Sequence, residues 1–268
     1  MRLATFPFMI YSPSRTGSTT LVRLLNCHPA IRCVWEPFNP THRAIFAIHS
    51  QEILRSHGGG GLEAALKYLA TTCNGFKHVW HPGGWPFEDP QLNDRMLLLG
   101  DAKVIMLRRR NALQRAISER ISQQMGIWTI YSEDDRRHIR QHQFAPLDVE
   151  QLRQDIAVVQ AEEKRLYELI GASGKAWRAV SYEEIFSPGA SMEAGMAAVK
   201  SLWEFLGVEA LADPARLEMV RQLLDPAMTG FGNAAAYERV PNIQEVEKAL
   251  GHDETGHVLG PMDTRTRT

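Results

Sequence analysis

The stretch YSPSRTGSTTLVRLL, residues 11–25, decides the fold. An apolar run, residues 6–11, leads into Pro13, Ser14, Arg15, Thr16, Gly17 and Ser18. Leu21, Val22, Leu24 and Leu25 then recur at helical spacing on one side. Strand, turn of small residues, helix is the layout that holds a phosphate. Backbone N–H groups of such a turn point at the anion, and the helix N-terminus adds partial positive charge. Gly17 lets the backbone come close because it has no Cβ. Arg15 brings fixed charge, and Ser18, Thr19 and Thr20 bring hydroxyl donors. The turn is not a Walker A motif: only Gly17 is present, and no Lys follows it. These residues alone leave two readings open, an anion cradle or an ordinary strand–turn–helix with a Ser-rich cap.

Further along, KVIMLRRRNALQRAIS, residues 103–118, repeats the logic. Residues 104–107 read as a short buried strand, and Asn111 as a helix N-cap. Ala112, Leu113, Ala116, Ile117 and Ile121 form an apolar helical stripe. Arg108, Arg109 and Arg110 therefore sit at a strand's carboxyl end, where open α/β sheets bind ligands. A solvated basic run is the competing reading.

PSRTGSTTLVRLL resembles the phosphosulfate-binding loop of the sulfotransferase superfamily, with Arg15, Thr16, Gly17, Ser18 and Thr19 filling its pattern. The Arg-containing form is similar to the carbohydrate and bacterial branches. The resemblance implies a three-layer α/β/α, P-loop-type fold with a mainly parallel sheet, made as one domain over residues 1–268. It implies 3′-phosphoadenosine 5′-phosphosulfate (PAPS) as sulfuryl donor, adenosine 3′,5′-bisphosphate as product, and no metal. Arg15, Thr16, Gly17, Ser18, Thr19 and Thr20 then contact the donor, Arg15 also steadying charge during transfer. Arg110 and Ser118, eight residues apart as in the family, are assigned to the 3′-phosphate.

CHPAIRCVWEPFNP, residues 27–40, carries Glu36-Pro37 after a short strand, and several relatives of that branch place a general base there. Burial beside Trp35 and Phe38 is expected to raise its pKa toward neutrality. The alternative is a loop carboxylate paired with Arg32 or Arg43; His28, His78 and His81 are rival bases. AWRAVSYEEIF, residues 176–186, resembles the family's late strand and makes Tyr182 a candidate to stack on adenine, against a core role. SLWEFLGV, residues 201–208, and YERVPNIQEVEKAL, residues 237–250, are similar to the segments that follow. One departure stands out: MTGFGNAAAYERV, residues 228–240, has no Arg or Lys before Arg239, where cytosolic relatives carry a basic donor clamp.

The acceptor side is less informative. GFKHVWHPGGW, residues 75–85, offers Lys77, His78, Trp80 and His81 as substrate contacts: a Trp face for a sugar, a Lys for charge on the sulfuryl oxygens. A buried Trp80 and a solvated Lys77 are the structural alternatives. Residues 129–146 read as an acceptor lid or a plain surface loop. Branch resemblance points to a carbohydrate or glycolipid hydroxyl. A P-loop kinase or NTPase, and a non-catalytic nucleotide-binding protein, are the competing functional classes.

Composition agrees with one large α/β domain: 268 residues, 44% of them apolar, can bury a real core. A net charge of −1 gives no global field for nucleic acid or anionic membrane. Cys27, Cys33 and Cys73 lack CxxC spacing and read as reduced, mostly buried thiols. No run approaches the ~20 apolar residues of a membrane span, so a cytoplasmic location is expected. Alternating patterns place strands at 6–11, 31–35, 76–80, 104–107 and 176–180, and helices at 18–26, 62–72, 111–125 and 148–170. Residues 58–61 read as a flexible Gly turn, 81–90 as a Pro/Gly loop, and 260–268 as a frayed tail.

Overall fold

The structure, a computed structural model, describes residues 7–130, 132–186, 191–225 and 234–258. Phe6, residues 228–233 and the tail at 260–268 lie outside the described residues. By packing, the chain divides into two compact units, residues 1–108 with 162–229, and residues 109–161 with 230–268.

The first unit is built on a five-stranded, all-parallel sheet in the order β2-β3-β1-β4-β5. β1 is Phe8–Pro13, β2 Cys33–Trp35, β3 Gly75–Trp80, β4 Lys103–Arg108 and β5 Trp177–Ser181. Every residue of β1 and β3 is buried, Lys77 and His78 included, so neither strand shows the alternation of a half-exposed one. The α/β fold with a parallel sheet is therefore as the sequence implies.

Helices cover both faces. Phe8 and Ile10 share one face with Ile105, Leu107 and Val180, and this face packs on α1, Ser18–Asn26. The same core takes in α8 (Tyr182–Phe186), α9 (Met192–Leu206) and α10 (Pro214–Leu224). On the other face Tyr11 donates through its hydroxyl to the carbonyl of Asn93, 3.2 Å away, in α4, Pro90–Leu98. Chain order matters here. The connection leaving β1 runs toward β2 on one side, whereas the one leaving β4 runs toward β5 on the other. Adjacent strands whose connections diverge open a crevice at their carboxyl ends, and β1 and β4 are such neighbours.

The second unit centres on α5, Ala112–Met125. Leu113, Ala116, Ile117 and Ile121 of the expected stripe pack with Leu152 and Ile156 of α7, Val149–Ala172. After α11 (Ala234–Tyr237), α12 (Ile243–Leu250) adds Ile243, Val246 and Leu250. Leu166 and Ile170 of α7 are also buried, so its apolar stripe is core packing, as expected.

Several helices are not legible as elements in the sequence. α2, Ile45–Ser56, joins α3, Gly61–Thr72, through a 3-10 turn at Gly58–Gly60, so these glycines are structured and not a flexible turn. α4 and α10 each begin with Asp-Pro. Asp89 and Asp213 cap the first-turn amides, and Pro90 and Pro214 occupy the position where no N–H is needed. The segment 129–146 contains α6, Glu133–Gln141, so it is not a plain surface loop. Ser132 and Asp135 form a capping box there, and no residue of α6 is buried. Its polar composition hides it, because a single apolar residue, Ile139, makes no period.

Candidate active site

Ser14, Arg15, Thr16 and Gly17 link β1 to α1. The buried Thr16 Oγ1 donates to the carbonyl of Pro13 at 3.1 Å and closes the turn on itself. Arg15 and Gly17 both have positive φ, 62° and 81°. For Arg15 that conformation costs on the order of 1 kcal/mol or more, a strain that gathers at ligand clamps. Gly17 has a second reason to lack a side chain. A Cβ there would stand 2.8 Å from Tyr182 Cδ2 and 3.0 Å from Phe186 Cε2.

Gly17 is also the N-cap of α1 and offers no side-chain cap. The carbonyl of Gly17 takes the first helical bond, from Leu21 N–H at 3.0 Å. The amides of Ser18, Thr19 and Thr20 thus have no acceptor within the helix. Beside them, Ser14 Oγ is buried without a hydrogen-bond partner among the described residues. A turn with helix amides to spare, a buried hydroxyl to satisfy and a basic residue fits an anion.

The most telling contact comes from β3. Lys77 pairs in register with Trp35 and points to the α1 face of the sheet. Its Nζ donates to Thr19 Oγ1 at 2.9 Å and lies 2.6 Å from Glu36 Oε1. The two side chains are 5% and 16% exposed. Glu36 itself sits at φ 35°, its N–H bonded to the Lys77 carbonyl at 3.0 Å. Asn39 Nδ2 donates to Glu36 Oε2 at 2.6 Å. Glu36 therefore pairs with Lys77 rather than with Arg32 or Arg43.

The expectation of a raised Glu36 pKa is corrected. Burial alone pushes the carboxyl up. The charge and hydrogen bond of Lys77, the Asn39 hydrogen bond and the charge of His42 outweigh it and hold the group below its usual range. What the sequence could not show is a cation arriving from a strand far along the chain.

The rival groups separate cleanly. His78, the neighbour of Lys77, points to the opposite face, as alternation along a strand requires. It is buried between Tyr11 and Phe87, with ring centroids 5.2 and 5.5 Å away, and its Nε2 meets Asn93 Oδ1 at 2.7 Å. Burial drives its pKa down to about 4. Trp80 is 2% exposed and stacks near Tyr11, so it belongs to the core and offers no sugar platform. His28 is buried, accepting from the Ala30 N–H at Nδ1, which leaves its Nε2 proton for the carbonyl of Glu209. His81 lies just beyond the carboxyl end of β3, half-buried. Lys77 is neither solvated nor open to an acceptor; it is built into the loop's support. Tyr182, half-buried, covers Gly17 and tilts against Phe186 at 5.1 Å.

Of the arginine run, Arg108 ends β4, exposed, with its guanidinium 5.7 Å from the ring centroid of Tyr167. Arg109 and Arg110 belong to the second unit. Arg109 is buried and donates to Gln114 Oε1 at 2.7 Å, whereas Arg110 is exposed before α5 and Ser118 is buried within that helix. Asn111 caps α5 as expected, its Oδ1 accepting from Gln114 N–H at 2.9 Å.

Sequence reasoning misses the segment that closes over this N-terminus. The Thr255 carbonyl takes Leu113 N–H at 2.9 Å, and the His257 carbonyl accepts from Asn111 Nδ2 and Gln114 Nε2 at 2.8 and 2.9 Å. Buried Glu247 fixes His257 Nδ1 and the Val258 N–H, each at 2.7 Å.

Cys27, Cys33 and Cys73 are free and buried. Among the described residues no group of three or more His, Cys, Asp or Glu gathers as a metal-ligand set, and no helix is long and apolar enough to cross a membrane.

No protein-family model matches the chain, and no curated protein does. Among solved structures it is similar to the sulfotransferase from Alicyclobacillus acidocaldarius, at 15% identity and a TM-score of 0.42. That match covers 89% of this chain and 96% of the other. Likeness at this level leaves the chemistry to be argued from the residues.

Proposed function

We propose that the chain moves the sulfuryl group of PAPS to a hydroxyl acceptor, with Glu36 as general base. The observation that carries this is the placing of Glu36 and Thr19 on one buried ammonium, that of Lys77. A proton acceptor is thereby fixed beside the first turn of α1, where an anion would sit. The acceptor oxygen attacks sulfur in line as the bond from sulfur to the bridging phosphate oxygen breaks. The electron pair leaves with the 5′-phosphate of adenosine 3′,5′-bisphosphate, and the acceptor proton passes to Glu36. Arg15, Thr16 and the amides of Gly17, Ser18, Thr19 and Thr20 hold the oxygens on which charge grows. Arg110 and Ser118 are proposed for the 3′-phosphate on their sequence spacing, and Tyr182 for the adenine. A carbohydrate or glycolipid acceptor is proposed on branch resemblance.

The test is thermal denaturation with nucleotides. Adenosine 3′,5′-bisphosphate without added metal should raise the melting temperature more than ATP with Mg²⁺, since a ligand of the native state stabilises by about 2.7 kcal/mol at a hundred times its Kd. Preferential stabilisation by ATP–Mg²⁺ would replace this reading with phosphoryl transfer. Incubating sulfate-labelled donor with a panel of cell extracts then identifies the acceptor; binding without any transfer would leave a nucleotide-binding protein.

A further inference from the structure

Lys77 has two partners that serve different halves of the chemistry: Thr19 in the first turn of α1, and the carboxylate of Glu36. Both contacts are sheltered from solvent, so a change in one is felt by the other and is not absorbed by water. An anion seated on the first-turn amides would add a charged acceptor next to the Thr19 hydroxyl. An ammonium has three donors and no fixed plane, so it can turn toward such an acceptor.

We propose that Lys77 couples donor binding to the base: an anion on the loop draws the ammonium through Thr19 and loosens its pair with Glu36, which gains proton affinity only once the donor is bound. The proposal rests on the sulfuryl-transfer reading above.

The local balance supports it. Burial raises the proton affinity of Glu36, and Lys77 is the main influence opposing it. The other groups that interact with the carboxylate are Asn39 and His42 of its own loop and, from β3, His78, whose ring feels the Glu36 charge. When Lys77 is drawn away, burial is left less opposed. Position is kept meanwhile, because Asn39 Nδ2 stays on Oε2 and Gln51 Nε2 of α2 holds the Asn39 carbonyl at 2.5 Å. Before the donor arrives, Glu36 is an ion pair and a poor base. Productive binding is thus ordered, donor before acceptor.

The experiment is an NMR titration of the full chain carrying carboxyl-¹³C glutamate, with Glu36 assigned by the signal lost in Glu36→Gln. It is run free and saturated with adenosine 3′,5′-bisphosphate, and calorimetry on the same samples measures binding. In the free protein Glu36 should titrate below an ordinary glutamate and shift upward with the nucleotide. Thr19→Val should bind the nucleotide within about tenfold of the parent, the scale of one hydrogen bond, and show a smaller upward shift. Lys77→Met should titrate high from the start and gain less. Nucleotide binding with an unmoved Glu36, or an undiminished shift in Thr19→Val, overturns the coupling and leaves the sulfuryl-transfer reading standing. An undiminished shift in Lys77→Met does the same, since it would report only the field of the bound anion. Absence of nucleotide binding removes both. Should Lys77→Met not fold, Thr19→Val decides alone.

Discussion

Tyr182 lies so close over Gly17 that a Cβ on the glycine would come within 2.8 Å of the ring. Tyr182 begins the helix directly after β5, and Gly17 caps the helix after β1. The shape of the loop is therefore set by an aromatic residue far along the chain as well as by local backbone preference.

Gly17→Ala should be costly for two separable reasons. Gly126 supplies the control, with φ 69° against 81° but no atom within 4 Å of where a Cβ would stand. Gly126→Ala should lose about 1 kcal/mol from the left-handed backbone alone. Gly17→Ala should lose a further ~1–3 kcal/mol from overpacking against Tyr182 and Phe186. Chemical denaturation of both variants measures the difference. Equal losses would mean that the aromatic cover is soft.

Arg110→Ala should weaken binding of adenosine 3′,5′-bisphosphate by about 1.5–3 kcal/mol, the scale of one charge-assisted hydrogen bond. Adenosine 5′-phosphosulfate, which lacks the 3′-phosphate, should lose little. Calorimetry with the two nucleotides is the measurement. Equal losses would assign Arg110 to something other than the 3′-phosphate.

Glu36→Gln keeps the hydrogen bond to Asn39 possible but removes the proton acceptor. Turnover should fall by about two to four orders of magnitude, while donor affinity should hold or rise, because a neutral Gln leaves the Lys77 ammonium to the donor side. Near-normal turnover, or a matching collapse in His81→Ala instead, would move the base to the end of β3.

His78 should make stability fall with acid. Its folded pKa of about 4 lies below the ordinary histidine value of 6.5, so the unfolded chain binds the proton first. Stability is then full above about pH 6.5 and declines as pH falls toward 4, by roughly 3 kcal/mol at 1.36 kcal/mol per unit. Glu36 adds a lower step. Its depressed pKa gives stability that is present above the ordinary glutamate range and lost as pH falls through the folded value. His78→Gln, which can keep the contact with Asn93, should flatten the upper slope while leaving the lower step. Denaturation midpoints from pH 7 to 4 would show an unchanged slope if His78 were not the group.

Much is legible locally. α1, Ser18–Asn26, matches the sequence reading residue for residue, because Gly17 and the apolar stripe of Leu21, Val22, Leu24 and Leu25 are both near-neighbour signals. Asn111 is the cap of α5 for the same reason. α4 and α10 carry start signals in Asp89-Pro90 and Asp213-Pro214, and α6 in Ser132 and Asp135. Their apolar periods are too weak to draw attention to those starts.

The chemistry of GFKHVWH is not legible. Lys77 and His78 are adjacent, and both are plausible site residues on paper. Strand alternation sends Lys77 to Thr19 and Glu36 and His78 to Asn93, on opposite faces of the sheet. The sequence by itself determined alternating strands and helices with a turn of small residues between the first strand and α1, since burial period and turn chemistry act over a few residues. Only the tertiary structure decided that Glu36 is held low by Lys77, that Trp80 is core, and that Tyr182 roofs Gly17. Those outcomes depend on which strands are neighbours and which face each residue takes, and contacts across tens of residues leave no local period to read.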